Sequence, residues 1–583
     1  MSFLEGGERS ELSAALAKSK SALIGVVVLS AVLNILLLGG SLYMMLVYDS
    51  VLPSQSIPTL VGLLLLMIVV YAFQGLFDVY RSRILSDVGA SLDLRLTGRV
   101  QAGVSFVALR GRTAGDGLTP MRDLDQVRNF LSGPGPSAMI DLPWILFFLA
   151  VLYLLHFWLG VTATVGAIVL ILLTVFTDRI SRAPSQRLTT VAGVRNALAE
   201  SNRRHVEIVH ALGMQRRVRD RWEQLNRAFL SSQQNLANSS GAIGGVSKVF
   251  RLFLQSMVLT VGALLVIAQE ATPGVIFASS ILAARALAPV DQAIAQWRGF
   301  TAARQGWRRL NQMLAATPAD DGVTTILPPP VKEVRAERMT MVPPGTQRVA
   351  VQDVSFALNA GDALGIVGPS ASGKSSLVRG LTGVWLPVRG TVRIDGATLD
   401  QWDPEMLGSH MGYLPQQVAL LDGTVAENIA RFEPQPSSDA IIAAAQAAGI
   451  HEMILRLPDG YETQVGVEGN ELSAGQRQRI ALARALYRDP FFVILDEPNS
   501  NLDADGEAAL DRAIAGVRAR GGIVIIVAHR PAALAQVNYV LFLRNGVAEA
   551  FGPRDEVLAK ILNKRAPSLD KASSPQQLKQ REA

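Results

Sequence analysis

None of the 583 residues is a cysteine. Disulfides, thiolate metal sites and cysteine nucleophiles are therefore all excluded. Charge is sparse as well: Asp, Glu, Lys and Arg together reach 18%, against 49% hydrophobic residues, and mean hydropathy is +0.27. So little charge does not suit an ordinary soluble enzyme and points to a chain partly embedded in a bilayer. The formal net charge is +6 and the pI about 9.6. A basic excess can mark a nucleic-acid partner. Here the arginines crowd the loops between apolar runs, so membrane topology accounts for them and no nucleic acid is expected.

Six runs are apolar enough to span: Ala22–Val47, Ile57–Tyr80, Ala138–Leu155, Leu159–Phe176, Ile243–Ala268 and a last one from Pro273 to about Ala293. Lys18 and Lys20 precede the first run as in a signal peptide. The run is too long for that and has no small-residue cleavage site, so a retained span is expected. The sixth run is rich in Ala and Ser and carries Arg285. Small residues let helices approach closely, and an arginine within a span faces protein or water. The sixth helix is expected to line a pathway or a subunit interface, unless Arg285 snorkels from the helix end.

The links near Asp49, His156 and Glu270 have no Lys or Arg, whereas the stretches Arg81–Arg128 and Arg179–Arg227 are dense in arginine. This alternation puts both termini in the cytoplasm. The two long basic stretches, Val191–Ala211 among them, are expected to be membrane helices continued beyond the bilayer, turning back near Gly115–Leu118 and Ala211–Gly213. The expected organisation is a cytoplasmic segment 1–20, a transmembrane domain 21–316, a Pro-rich linker 317–332, a second domain 333–562 and a disordered tail 563–583.

In the second half short apolar strands alternate with helices, the pattern of an α/β domain. The strand Ala363–Val367 runs into Gly368-Pro-Ser-Ala-Ser-Gly373-Lys374-Ser375 and a helical stretch. That is G-x-x-x-x-G-K-[ST] in its strand–loop–helix setting. Backbone N–H groups over Gly368, Ser370, Ala371, Ser372, Gly373 and Ser376 can cradle phosphates. Lys374 would reach the terminal phosphates and Ser375 would bind Mg²⁺. A strand ending in Asp496-Glu497 offers a carboxylate for Mg²⁺ and a base for the attacking water. A later strand ends at Ala528-His529, placing His529 as a γ-phosphate contact. Leu472-Ser473-Ala474-Gly475-Gln476 opens a helix. Ser473 reads either as an ordinary N-cap or as part of a second phosphate-binding helix start.

Taken together and in order, the P-loop, Tyr413-Leu-Pro-Gln416, Leu-Ser-Ala-Gly-Gln476, Ile-Leu-Asp-Glu-Pro498, Ser500-Asn-Leu-Asp503 and His529 resemble the ATP-binding cassette (ABC) family. The fusion of a membrane half to one cassette looks like an exporter half-transporter. More narrowly the chain is similar to type I secretion ATPases of the PrtD-like protease exporters. That similarity rests on Ile140-Asp-Leu-Pro-Trp144, the run from Arg285 to Trp297, and Gly412–Gln417 with Asp422–Ile429. The resemblance implies a multidomain membrane protein: a six-helix all-α exporter domain followed by an α/β P-loop cassette that hydrolyses ATP with Mg²⁺. It implies a head-to-tail homodimer in which Ser473, Ala474, Gly475 and Gln476 of one copy face the P-loop of the other. Gln416 would join the catalytic and Mg²⁺ groups and couple nucleotide state to the membrane half, and Asp503 would communicate across the dimer.

Family membership further implies inner-membrane export of unfolded polypeptides with C-terminal signals. The implied partners are a periplasmic adaptor, an outer-membrane TolC-like pore and the secreted polypeptide. About twenty residues precede the first span, so no appended peptidase-like domain is expected. Two features depart from the family: Ala474 stands where glycine is usual, and Met341–Gly345 holds no aromatic ring for adenine. The alternatives are a lipid or small-molecule exporter with the same engine and an ATP-gated channel or regulator.

Overall fold

A computed structural model describes residues 10–111, 117–318, 327–466, 469, 471–528 and 534–565. It divides largely into a helical unit ending at Pro318 and an α/β unit beyond it.

Among the described residues of the helical unit six helices are long and apolar enough to cross a membrane: Lys20–Ser54, Ile57–Leu109, Gly135–Leu155, Phe157–Arg204, Gly244–Ile267 and Pro273–Ala316. Four of the continuous helices are far longer than a bilayer requires, at 53, 48, 53 and 44 residues. At 1.5 Å per residue each extends well past a hydrocarbon core of about 30 Å. The fourth does not run unbroken to Ala211. It stops at Arg204, and a short helix Val206–Ala211 follows before the turn through Gly213. His205 leaves helical geometry at this break, and its Nδ1 lies 2.8 Å from the Ser201 carbonyl oxygen. The other expected turn falls at Gly117–Leu118, with Gly115 and Asp116 outside the described residues.

The sixth helix is the packing centre. Over half of its most apolar window is buried within the chain, against 6% for the second span. Buried Ala278, Ser279, Ser280, Ala283 and Ala286 give it a narrow face, and Phe148, Leu152, Leu159, Leu170 and Val258 from the third to fifth spans pack in the same cluster. Its start is capped from the first helical segment. Asp49 accepts from the Gly274 N–H and the Thr272 hydroxyl, each at 2.7 Å, placing a carboxylate at the positive helix end.

Arg285 lies inside the continuous helix Pro273–Ala316, not at its end. It lines a cleft of about 480 Å³ with Asn34, Gln74, Asp78, Arg81 and Asp141. Asp141, read from sequence as the opening of the third span, is the hub there. It accepts from Asn34 Nδ2 and from Arg81 Nη1, both at 3.0 Å. Arg81 also reaches Ser30 Oγ at 3.1 Å and Asp78 at 2.7 Å. The buried Asp141 carboxylate and the Arg81 guanidinium thus satisfy one another, as low-dielectric surroundings demand.

The described residues of the α/β unit form two sheets. An antiparallel one runs β2-β1-β4-β5, from Glu333–Met341 (β1), Val351–Asn359 (β2), Arg389–Ile394 (β4) and Ala397–Thr398 (β5). The larger runs β10-β9-β3-β8-β7-β6. Its strands are Ala363–Val367 (β3), Met411–Leu414 (β6), Phe492–Asp496 (β7), Ile523–Val527 (β8), Tyr539–Arg544 (β9) and Val547–Pro553 (β10). Only β10 runs antiparallel to its neighbour. β7 and β8 are buried at every residue, as unbroken apolar runs in a covered parallel sheet should be. Of the expected linker and tail, 319–326 and 566–583 lie outside the described residues. Residues 563–565 close the helix Arg554–Arg565.

Candidate ATP site

The larger sheet sets the site. Strands β3, β8, β7 and β6 are parallel neighbours, with Ile366 and Asp496 both opposite Val527 and Leu414 opposite Leu495. Their carboxyl ends lie side by side, which is where open α/β sheets bind ligands. The chain leaves β3 into the P-loop, β7 into Glu497 and β6 towards Gln416. His529, expected just past β8, lies outside the described residues.

Sterics fix the P-loop. A Cβ on Gly368 would stand 2.1 Å from the Leu543 carbonyl oxygen, and one on Gly373, at φ +99°, 2.3 Å from that of Ala350. Ala371 holds φ +63° between them, a costly conformation for a residue with a side chain. We expect Gly368→Ala to weaken ATP binding at least about tenfold, because the loop must shift to admit the methyl; equilibrium nucleotide titration checks this, and unchanged affinity contradicts it.

The loop feeds the helix Lys374–Leu381, whose free N–H groups and dipole favour an anion. Lys374 is 6% exposed, and its Nζ donates to the carbonyls of Gly368 (2.9 Å) and Pro369 (3.0 Å). Burial lowers its pKa, while the Glu497 and Asp496 carboxylates act in the opposite direction. Phosphate oxygens would offer the ammonium stronger, charge-assisted acceptors than these carbonyls. Ser370 is exposed and Ser376 half-buried. Ser372 Oγ is buried with no partner among the described residues.

Asp496 is 3% exposed. Burial pushes its carboxyl pKa up, a Ser375 hydrogen bond pulls it down, and Glu497 adds to the rise. Its Oδ1 is buried without a hydrogen-bond partner among the described residues. An orphaned carboxylate oxygen with a serine hydroxyl against the same group is the hard-oxygen donor set that suits Mg²⁺. Gln416, exposed two residues past β6, can add an amide oxygen.

Because the fold raises the Asp496 pKa, the ionised group costs stability above the raised value, and that cost disappears as pH falls through it. Asp496→Asn should therefore raise the Tm of nucleotide-free protein near neutral pH and shrink the extra stabilisation given by ATP with Mg²⁺. A thermal melt showing a lower nucleotide-free Tm would contradict the assignment.

Glu497 sits at φ +54°, its N–H held by the Val527 carbonyl at 3.1 Å. Ser473 is the N-cap of the helix Ala474–Leu486 and completes a capping box with Gln476. Its Oγ accepts from the Gln476 N–H (3.3 Å), while the Gln476 side chain accepts from the Ser473 N–H (2.8 Å). The cap uses the hydroxyl as acceptor and leaves its proton free for an anion, so capping and phosphate binding are compatible. Asp503 caps the helix Ala504–Ala519, accepting from the Gly506 N–H at 2.9 Å, and pairs with Arg479. The Gly506 N–H and, more weakly, the Arg479 charge hold its pKa below the ordinary carboxylate value. Within one chain the P-loop residues, Asp496 and Glu497 come together, while Ser473–Gln476 start a separate helix.

Two family models match: the ABC transporter transmembrane region over residues 23–290 and the ABC transporter over 351–500. The type I secretion system ATP-binding protein PrsD of Rhizobium meliloti (strain 1021) is 51% identical over 95% of both chains. This chain belongs to the ABC transporters, in the family of type I secretion ATPases. As an ABC transporter it binds and hydrolyses ATP. More distant relatives include the cyclolysin secretion/processing protein CyaB of Bordetella pertussis, 29% identical over 94% of this chain and 77% of its own. The alpha-hemolysin translocation protein HlyB of Escherichia coli O157:H7 is 27% identical over 93% and 77%. A solved bacterial Atm1-family ABC exporter with ATP bound shares the fold, with a TM-score of 0.78 at 22% identity over 95% of this chain and 99% of that one.

Two groups in this transporter leave little local trace in the sequence. Asn34 interrupts the first apolar run and Arg81 opens a basic stretch; a polar residue inside an apolar run was the available signal. Gln478 was missed because nothing local distinguishes it from a solvated helix residue, yet it is buried.

Proposed function

We propose that the transporter is the homodimeric motor of a type I secretion system. It would move unfolded polypeptides bearing C-terminal signals out through a periplasmic adaptor and an outer-membrane pore of the TolC kind. The observation that carries this reading is the 51% identity to PrsD along nearly the full length of both chains. The arginine-rich loops favour an inner-membrane orientation with both termini and the cassette in the cytoplasm.

The chemistry follows from the chain's own groups. P-loop N–H groups and Lys374 bind and orient the phosphates. Ser375, Asp496 and Gln416 would hold Mg²⁺, which supplies charge neutralisation on the transferred phosphoryl group. Glu497 would accept the proton of the attacking water, and His529 would contact the γ-phosphate. Ser473 and Gly475 of the second copy close over the same nucleotide, and Gln416 and Asp503 report its state.

The test is a native pull-down of tagged Glu497→Gln protein trapped with ATP in its own host. Recovery of a single-span periplasmic adaptor with an outer-membrane pore or an exported protein supports the reading. A well-expressed homodimer carrying only lipid would replace it with a lipid or small-molecule exporter.

A further inference from the structure

We propose that Gln478 is a positioning residue that couples the two ATP sites of the dimer. It ties the helix start that reads the nucleotide of one site to the backbone that carries the general base of the other. The proposal rests on the head-to-tail dimer proposed above.

Gln478 is 3% exposed and lies in the second turn of the helix Ala474–Leu486. Its Nε2 donates to the Pro498 carbonyl and, at 3.5 Å, to the Glu497 carbonyl. Its Oε1 accepts from Ser500 Oγ at 3.5 Å. One buried amide thus spans Glu497 to Ser500, so all of its hydrogen-bonding reach goes to a single segment. Two further contacts fasten the same pair of elements. Arg479 pairs with Asp503, and the Gly475 backbone comes so near the Asn501 carbonyl that an added Cβ would stand 3.1 Å from its oxygen.

Glu497 needs such support. Its positive φ is unfavourable for a residue with a side chain and persists only where the surroundings impose it. From β8 the Val527 carbonyl holds its N–H; from the helix Ala474–Leu486, Gln478 holds its carbonyl. The two ends of that helix segment serve different nucleotides. In a head-to-tail dimer Ser473 and Gly475 face the partner's P-loop, whereas Glu497 adjoins the P-loop of its own chain. Only about one and a half helical turns, some 7.5 Å, separate Ser473 from Gln478. Closure of the helix start on one γ-phosphate is therefore passed through a short, stiff element to the base of the other site.

The test is ATP hydrolysis by the full-length dimer as a function of ATP concentration. The parent should show a Hill coefficient approaching about 2. Gln478→Leu should bring it to about 1 and lower kcat about tenfold, with KM changed less than about twofold, since no phosphate contact is lost. Ser500→Ala, which removes one partner of the amide and leaves its core packing in place, should shift the coefficient the same way and serves if the leucine variant fails to fold. A residue that only packs would alter kcat or Tm and leave the Hill coefficient at the parent value; that outcome in a cooperative parent overturns the proposal alone. A monomeric parent, or one with a coefficient of about 1, overturns the coupled-dimer reading and the proposal with it.

Discussion

The Glu497→Gln transporter is expected to bind ATP as tightly as the parent and to hydrolyse it at least about a hundredfold more slowly, the usual contribution of a positioned general base. Glutamine keeps the size of the side chain and can still hydrogen-bond the attacking water, but it cannot take its proton. The backbone at φ +54° is fixed by the Val527 carbonyl and by Gln478, so the exchange leaves the site's geometry intact. Lys374, Ser375 and Asp496, which would carry nucleotide affinity, are untouched. The measurement is a steady-state phosphate-release assay beside an ATP-binding titration. Turnover within a few-fold of the parent would move the base to another group. Lost binding would mean that Glu497 supports the fold of the site instead.

A comparably large effect is expected in the membrane half, on stability. Asp141→Leu leaves the Arg81 guanidinium and the Asn34 amide without their shared acceptor. The Asp141 and Arg81 side chains are 12% and 15% exposed, and Asn34 is 3% exposed, so water cannot fully replace it. Stranding a buried charge outright costs about 3–5 kcal/mol; Arg81 keeps Asp78 and Ser30 as partners, so the loss falls at or below the lower end of that range, and the detergent-solubilised protein should melt a few degrees lower. Arg81→Met should do similar damage by stranding the carboxylate. The double variant should recover much of the loss, because neither charge is then unpaired. Strictly additive losses would show that the two residues act separately.

Local signals were enough for the spans and the P-loop. A span is an uninterrupted apolar run, and bilayer thickness converts run length directly into a helix. The P-loop needs glycine where a Cβ would strike a carbonyl, so Gly368 and Gly373 are readable one position at a time. Asp496 and Glu497 follow from a strand that is apolar throughout and then abruptly acidic. What only the tertiary structure decided depends on residues far apart in the chain. Gln478 and Ser500, or Asn34, Arg81 and Asp141, meet because helices and strands pack, and no periodicity records which polar residue is buried against which. Arg285 shows the same limit: hydropathy marks where a span ends in lipid, whereas the helix carrying it runs on to Ala316 because backbone hydrogen bonding continues in water as it does in the bilayer.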